Sequence, residues 1–219
     1  RSRGLGDVYK RQPLTHGNIV SVLKAGMEWL EDWGAVREKV LGVLPMFHIY
    51  GLALNYALPL SIGAEMVLVP APKPKLYQAA ITKTRPTVLP GVPTLYDKIV
   101  EWAVETNADL SSIHTSVSGA STLPVETIER WENATGGRLI EGYGLTETAP
   151  ILAGNPLDGT RRPGYIGLPF PNTEIRIADP DDPSRTMPDG EPGELLARGP
   201  QVFSGYLNSP EANELSLIH

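Results

Sequence analysis

Apolar positions in the first two-thirds of the chain follow two alternating rhythms. Ile19, Leu23, Met27 and Leu30 recur at helical spacing behind Thr15, which predicts a helix with a threonine N-cap. The run Val40–Leu44, closed by Pro45, then predicts a short buried strand. The alternation continues with a helix over 51–62, a strand over 66–69, a helix over 76–83 and a strand over 87–89. A helix over 93–104 has proline near its first turn; a strand over 115–117, a helix over 124–134 and a strand over 138–141 follow. Apolar strands separated by such helices predict an α/β fold, a mostly parallel sheet covered by helices on both faces.

Beyond Pro150 helical periodicity stops and glycine and proline become dense. The alternating stretch Glu174–Ile177 is joined to Glu194–Ala197 through a polar segment containing Asp189-Gly190, which predicts a small antiparallel β subdomain from about 164 to 206. The expected organisation is an incomplete α/β subdomain over 13–155 followed by an incomplete β subdomain over 156–214.

Composition narrows the function. A chain of 219 residues that is 41% hydrophobic can bury a core, and its net charge of −6 makes a poor partner for a nucleic acid backbone. It has no cysteine, so disulfide and thiolate chemistry are absent, and its four histidines lack zinc-ligand spacing. No apolar run is long enough for a transmembrane span, and the expected location is cytoplasmic.

Parallel sheets collect ligands at the carboxyl ends of their strands. Three polar, glycine-containing turns fall at such ends: Pro45–Gly51, Ser118–Ser121, and Gly142–Thr148 within "LIEGYGLTETAP". In the third, Gly142 and Gly144 permit close backbone approach and Tyr143 offers a flat face to a purine. Thr146 offers a hydroxyl to phosphate and Glu147 a hard oxygen to Mg²⁺. The same pattern equally describes a turn with capping threonines and a solvated glutamate. His48, between Phe47 and Tyr50, reads either as a structural histidine or as a residue at a pocket mouth. The 118–121 turn either leads into a helix capped by Ser121 or Thr122, or lets a flat ring approach closely. Arg161-Arg162 reads as a surface pair, and Asp179, Asp181 and Asp182 as a solvated loop.

Seven segments in order, "PLTHGNIV", "VLPMFHIYGL", "LPGVPTLYDKIV", "SGASTLP", "EGYGLTETAP", "GYIGLPFPNTEIRIAD" and "GEPGELLARGPQVFSGYLNSPEA", resemble the acyl-adenylate-forming enzymes. They are most similar to the AMP-forming long-chain fatty acid–CoA ligases, over about 13–213. The resemblance implies ATP, Mg²⁺ and coenzyme A as cofactor and co-substrates. A fatty acid carboxylate attacks the α-phosphate of ATP, releasing pyrophosphate, and the thiol of coenzyme A then displaces AMP. It further implies that Gly119, Ala120, Ser121, Glu141, Gly142, Tyr143, Gly144 and Thr146 bind the nucleotide. Thr146, Glu147 and His48 would act in catalysis, Glu147 would hold the metal, and Phe47, His48 and Gly142 would meet the acyl substrate. An aryl- or short-chain acid ligase, a carrier-protein-loading adenylation domain, and a non-catalytic nucleotide-binding scaffold are the alternatives.

The family places a Ser/Thr/Gly-rich pyrophosphate loop before "LTHGNIV", where this chain has "RSRGLGDVYKRQ"; it continues past "GYLNSPEAN" to a ribose-binding aspartate and a mobile domain with a catalytic lysine. Residues 1–12 and about 215–219 resemble translated adapter sequence and are expected to be foreign. The expected object is therefore an internal fragment, inactive in isolation. Oligomeric state stays open, as does peripheral membrane contact of a longer parent, for which no basic amphipathic helix argues.

Overall fold

The structure, a computed structural model, describes residues 12–30 and 37–216. The expected foreign leader lies outside them except for Gln12, as do the last residues of the expected tail.

The described residues lead first into helix α1 (His16–Trp29), capped as anticipated. The Thr15 hydroxyl accepts from Asn18 N–H, and Asn18 Oδ1 accepts from Thr15 N–H. The buried stripe is Asn18, Val22, Ala25 and Gly26, whereas Met27 is exposed. The helix is therefore rotated from the expected stripe, because Asn18 points inward. Its Nδ2 donates to the carbonyls of Pro200 and Val202 at 2.8 and 3.1 Å, and that long-range contact outweighs burial of a methionine.

Strand β1 (Lys39–Gly42) leads into α2 (Ile49–Leu52), a π turn (Ala53–Ala57) and α3 (Leu58–Ser61). Where one regular helix was expected, Pro59 intervenes. It has no N–H to donate, and its ring would collide with the carbonyl four residues back. The backbone widens just ahead of it, and Leu58 N–H reaches Ala53. Strand β2 (Glu65–Leu68), helix α4 (Pro74–Thr84), β3 (Val88–Gly91), α5 (Pro93–Thr106), β4 (Thr115–Ser118), α6 (Val125–Thr135) and β5 (Arg138–Tyr143) follow. Neither Ser121 nor Thr122 caps α6; its N-cap is Pro124, without a side-chain bond.

The sheet order is β2-β1-β3-β4-β5, all parallel. Its far edge continues antiparallel through two very short strands, β6 (Ala153–Gly154) and β7 (Leu168–Pro169). Sequence periodicity did not reveal them, since two residues carry no rhythm. Beyond the sheet, β8 (Glu174–Ala178) and β9 (Glu194–Arg198) form a separate antiparallel ribbon, as the alternating pattern implied, and α7 (Pro210–Ser216) ends the described chain.

Strand alternation gives two cores among the described residues. Leu41, Leu89 and Leu139 face α4, α5 and α6, packing with Tyr77, Tyr96, Ile99 and Trp131. Val117 faces the opposite side with Tyr50, Leu54 and Leu58 of the π-containing segment and Leu30 just past α1. Burying apolar side chains on both faces is the dominant stabilising term. The predicted fold class, a mostly parallel α/β sheet with a small antiparallel unit, is the fold observed.

Candidate functional site

Because β1 pairs with β2 on one side and β3 on the other, strand order reverses at β1/β3, and the crevice beyond their carboxyl ends is where such sheets bind ligands. The turn carrying His48 leaves β1 at this point. His48 is the N-cap of α2, and its Nδ1 accepts from Tyr50 N–H at 3.2 Å. That bond places the proton of the neutral ring on Nε2. Phe47 is 95% exposed.

Tyr50 joins this turn to the next. Its hydroxyl lies 2.7 Å from the Val117 carbonyl and 3.1 Å from that of Gly91, and a Cβ on Gly119 would come within 3.2 Å of its ring. From the opposite face of the sheet the Tyr96 hydroxyl lies 2.7 Å from the same Val117 oxygen. Burial drives both phenols well above their ordinary pKa, so both stay protonated. Sequence reading passed over this pair; two tyrosines 46 positions apart give no local signal.

The 118–121 bend begins with Ser118, wholly buried, and passes through Ala120 at φ 67°, a left-handed conformation costly for alanine. Its far end is fastened from below. Glu141, paired with Ser118 across β4 and β5, accepts the Leu123 N–H at 3.2 Å. Glu141 is 9% exposed, and desolvation raises its pKa despite that hydrogen bond.

After β5 the chain makes a 3₁₀ turn over Thr146–Thr148. The two threonines differ. The Thr148 hydroxyl donates to the Leu145 carbonyl and accepts Leu145 N–H, both at 3.0 Å, while Thr146 Oγ1 has no partner among the described residues. Gly144 is needed by its own chain, since a Cβ there would lie 1.7 Å from the Pro150 carbonyl. Glu147 is half-buried, and one of its oxygens accepts the Tyr206 hydroxyl at 2.8 Å. No cluster of three acidic or histidine side chains forms a metal cage among the described residues. A single carboxylate with one oxygen uncommitted suits Mg²⁺ shared with phosphate oxygens, which needs few protein ligands.

Beneath the turns, between the sheet and α1, lies an apolar cavity of about 40 Å³. Leu23, Trp29, Leu54, Val117, Ile140 and Gly142 are among its lining residues. Phe47 and His48 are not part of that lining. Arg161 is not a surface residue as expected. It is 14% exposed and bound to both oxygens of Glu132.

A doubly covered parallel sheet with three turns at its carboxyl edge defines an α/β domain of the kind that binds ligands at that edge. The chain belongs to the AMP-binding enzyme family, whose profile matches residues 10–207. It is 41% identical over 90% of its length to a long-chain-fatty-acid–CoA ligase of Bacillus subtilis, and 36% identical over 96% to one of Escherichia coli. It spans 35% and 38% of the lengths of those two relatives. Among solved structures it resembles a benzoate CoA ligase from Burkholderia xenovorans, with 28% identity, a TM-score of 0.83, and coverage of 95% of this chain and 42% of the other. It also resembles ATP-bound MatB from Rhodopseudomonas palustris, with 28% identity, a TM-score of 0.81 and coverage of 93% and 39%.

Proposed function

We propose that this chain supplies the adenylate-binding face of an ATP-dependent acyl-CoA ligase whose carboxylate substrate is a fatty acid. The arrangement that carries the reading is the Tyr143–Glu147 segment leaving β5 beside the 118–121 bend, with the Thr146 hydroxyl and one Glu147 oxygen uncommitted. Gly119, Ala120, Ser121, Glu141, Gly142, Tyr143, Gly144 and Thr146 bind the nucleotide. Within that group Glu141 contributes by shaping the bend through Leu123 N–H. Tyr143 lends a ring face to the adenine and Thr146 a hydroxyl to phosphate.

Glu147 would hold Mg²⁺, which when bound neutralises phosphate charge during adenylyl transfer. Catalysis of this kind depends on positioning and charge neutralisation more than on an acid–base pair. The acid's carboxylate displaces pyrophosphate from the α-phosphorus, and the coenzyme A thiol then attacks the acyl carbon and expels AMP. His48, its Nδ1 occupied, presents Nε2–H to the junction of acyl group and phosphate, with Phe47 and Gly142 beside the acyl substrate. The α/β unit over 13–155 carries these groups, and the β unit over 156–214 braces them.

One observation favours a second reading. A cavity of about 40 Å³ admits roughly three water-sized groups, room for a small acid but not for a long acyl chain. An aryl- or short-chain acid is the alternative substrate. The deciding experiment is ATP–pyrophosphate exchange by a full-length protein carrying this sequence, across acids of increasing chain length. Exchange that peaks with long-chain acids supports the fatty acid reading; a peak at benzoate or short acids replaces it. In that protein Glu147→Ala abolishes most exchange while Glu129→Ala does not, and equal rates would remove Glu147 from the metal role. The 219-residue chain alone has little or no ligase activity; fatty acid-dependent pyrophosphate release from it would overturn that expectation.

A further inference from the structure

Glu147 is held by a segment far along the chain, between β9 and α7. Its carboxylate accepts the Tyr206 hydroxyl at 2.8 Å and its carbonyl accepts Phe203 N–H at 2.8 Å. The segment is itself pinned. Asn18 Nδ2 donates to the carbonyls of Pro200 and Val202, Tyr206 N–H donates to Asn213 Oδ1 at 2.6 Å, and Asn213 Nδ2 returns a bond to the Tyr206 carbonyl. The rings of Phe203 and Tyr206 meet edge to face at 4.8 Å, and both residues are at least nine-tenths buried. A phenol so constrained does not follow the carboxylate; it fixes where the carboxylate points.

We propose that Tyr206 is a positioning residue for Glu147. It ties down Oε1 and leaves Oε2 aimed for a divalent cation shared with nucleotide phosphates. A half-buried glutamate on a short 3₁₀ turn would otherwise sample several rotamers, and ordering them would weaken cation binding. Hydrogen bonds that orient a ligating carboxylate typically change metal affinity tenfold or more when removed. The loop carrying Tyr206 thereby couples the β unit to the nucleotide edge, and its packing on α1 through Asn18 completes the brace.

The purpose assigned to this contact rests on the functional reading above; the contact itself does not, and two measurements separate them. ATP affinity of the chain is measured in Mg²⁺ and in EDTA for wild type, Tyr206→Phe and Glu147→Gln. Tyr206→Phe keeps the ring against Phe203 and is expected to lose about tenfold of the Mg²⁺-dependent gain in affinity while matching wild type in EDTA. An undiminished gain overturns the proposal. A denaturation double-mutant cycle between Tyr206→Phe and Glu147→Gln reads the contact without any ligand. Non-additive changes support the strut and additive ones overturn it, even if the wild-type chain binds no nucleotide and the functional reading itself has failed.

Discussion

The guanidinium of Arg161 donates to both carboxylate oxygens of Glu132 at 2.7 Å and, through Nη1, to the Leu139 carbonyl at 3.1 Å. Glu132 in turn accepts Leu139 N–H at 2.9 Å. The loop after β6, helix α6 and strand β5 are thus locked together directly behind the residues that lead to Tyr143. With Arg161 14% and Glu132 18% exposed, removing Arg161 leaves the poorly hydrated Glu132 carboxylate with Leu139 N–H and the more distant Arg138 at 3.9 Å. Arg161→Ala is expected to cost about 3 kcal/mol in urea denaturation. A loss under about 1 kcal/mol, the range of a surface pair, would show the clamp to be solvated.

Gly144→Ala puts a methyl carbon 1.7 Å from the Pro150 carbonyl, a backbone atom that cannot swing aside. The expected cost is about 3 kcal/mol or more, because the 3₁₀ turn must move to admit it. Gly159→Ala meets nothing within 4 Å and serves as the silent control. Similar melting temperatures for the two variants would show the turn to be pliable.

The bend at 118–121 carries strain that a single change relieves. Ala120 sits at φ 67°, where glycine is preferred by about 1 kcal/mol. Ala120→Gly is expected to raise stability by a few tenths of that or more, offset in part by the added freedom of the unfolded chain. Chemical denaturation showing a loss instead would mean that the alanine methyl makes a packing contact that outweighs the strain.

Val117 O is approached by two phenols, Tyr50 from one face of the sheet and Tyr96 from the other, each at 2.7 Å. Either Tyr→Phe change removes one of the two hydroxyls at this oxygen and is expected to cost about 1 kcal/mol. The double variant removes both hydroxyls from one oxygen of the β4 ladder, so the two single losses are expected not to add. Simple additivity in equilibrium denaturation would show that the two hydroxyls act separately.

Glu141 makes stability depend on pH with a defined sign. Desolvation raises its folded-state pKa above the unfolded value, so the folded state binds the proton more tightly. The contribution is therefore fully present below the unfolded pKa and is lost as pH rises through the folded one. Glu141→Gln keeps an oxygen for Leu123 N–H but cannot ionise. It is expected to melt higher than wild type near neutrality and to flatten the decline over that acid window. A variant curve parallel to wild type would assign the pH dependence to other groups.

Much of the architecture was readable from local pattern. The Thr15 cap, the five parallel strands and the helices over 74–84, 93–106 and 125–135 follow from side-chain periodicity and proline placement. The three turns at strand ends were legible for the same reason. The strand edges were not: β6 and β7 are two residues each, β6 pairing with the open edge of β5 and β7 with that of β6. The Arg161–Arg162 pair looked solvent-facing because adjacent arginines usually are, and nothing near them in sequence announces Glu132, 29 positions away.

The order of strong helices and buried strands, and the chemical types gathered at their ends, were determined by the sequence alone, because periodicity and turn chemistry act over a few residues. Tertiary structure decided which of those groups stay uncommitted at the strand ends and which hold one another. Glu141 turned to Leu123, Tyr50 and Tyr96 met on one carbonyl, and Tyr206 reached Glu147 across 59 positions. Such contacts form only once the sheet has set its strand order, since closing loops of that length is repaid by packing rather than by local propensity.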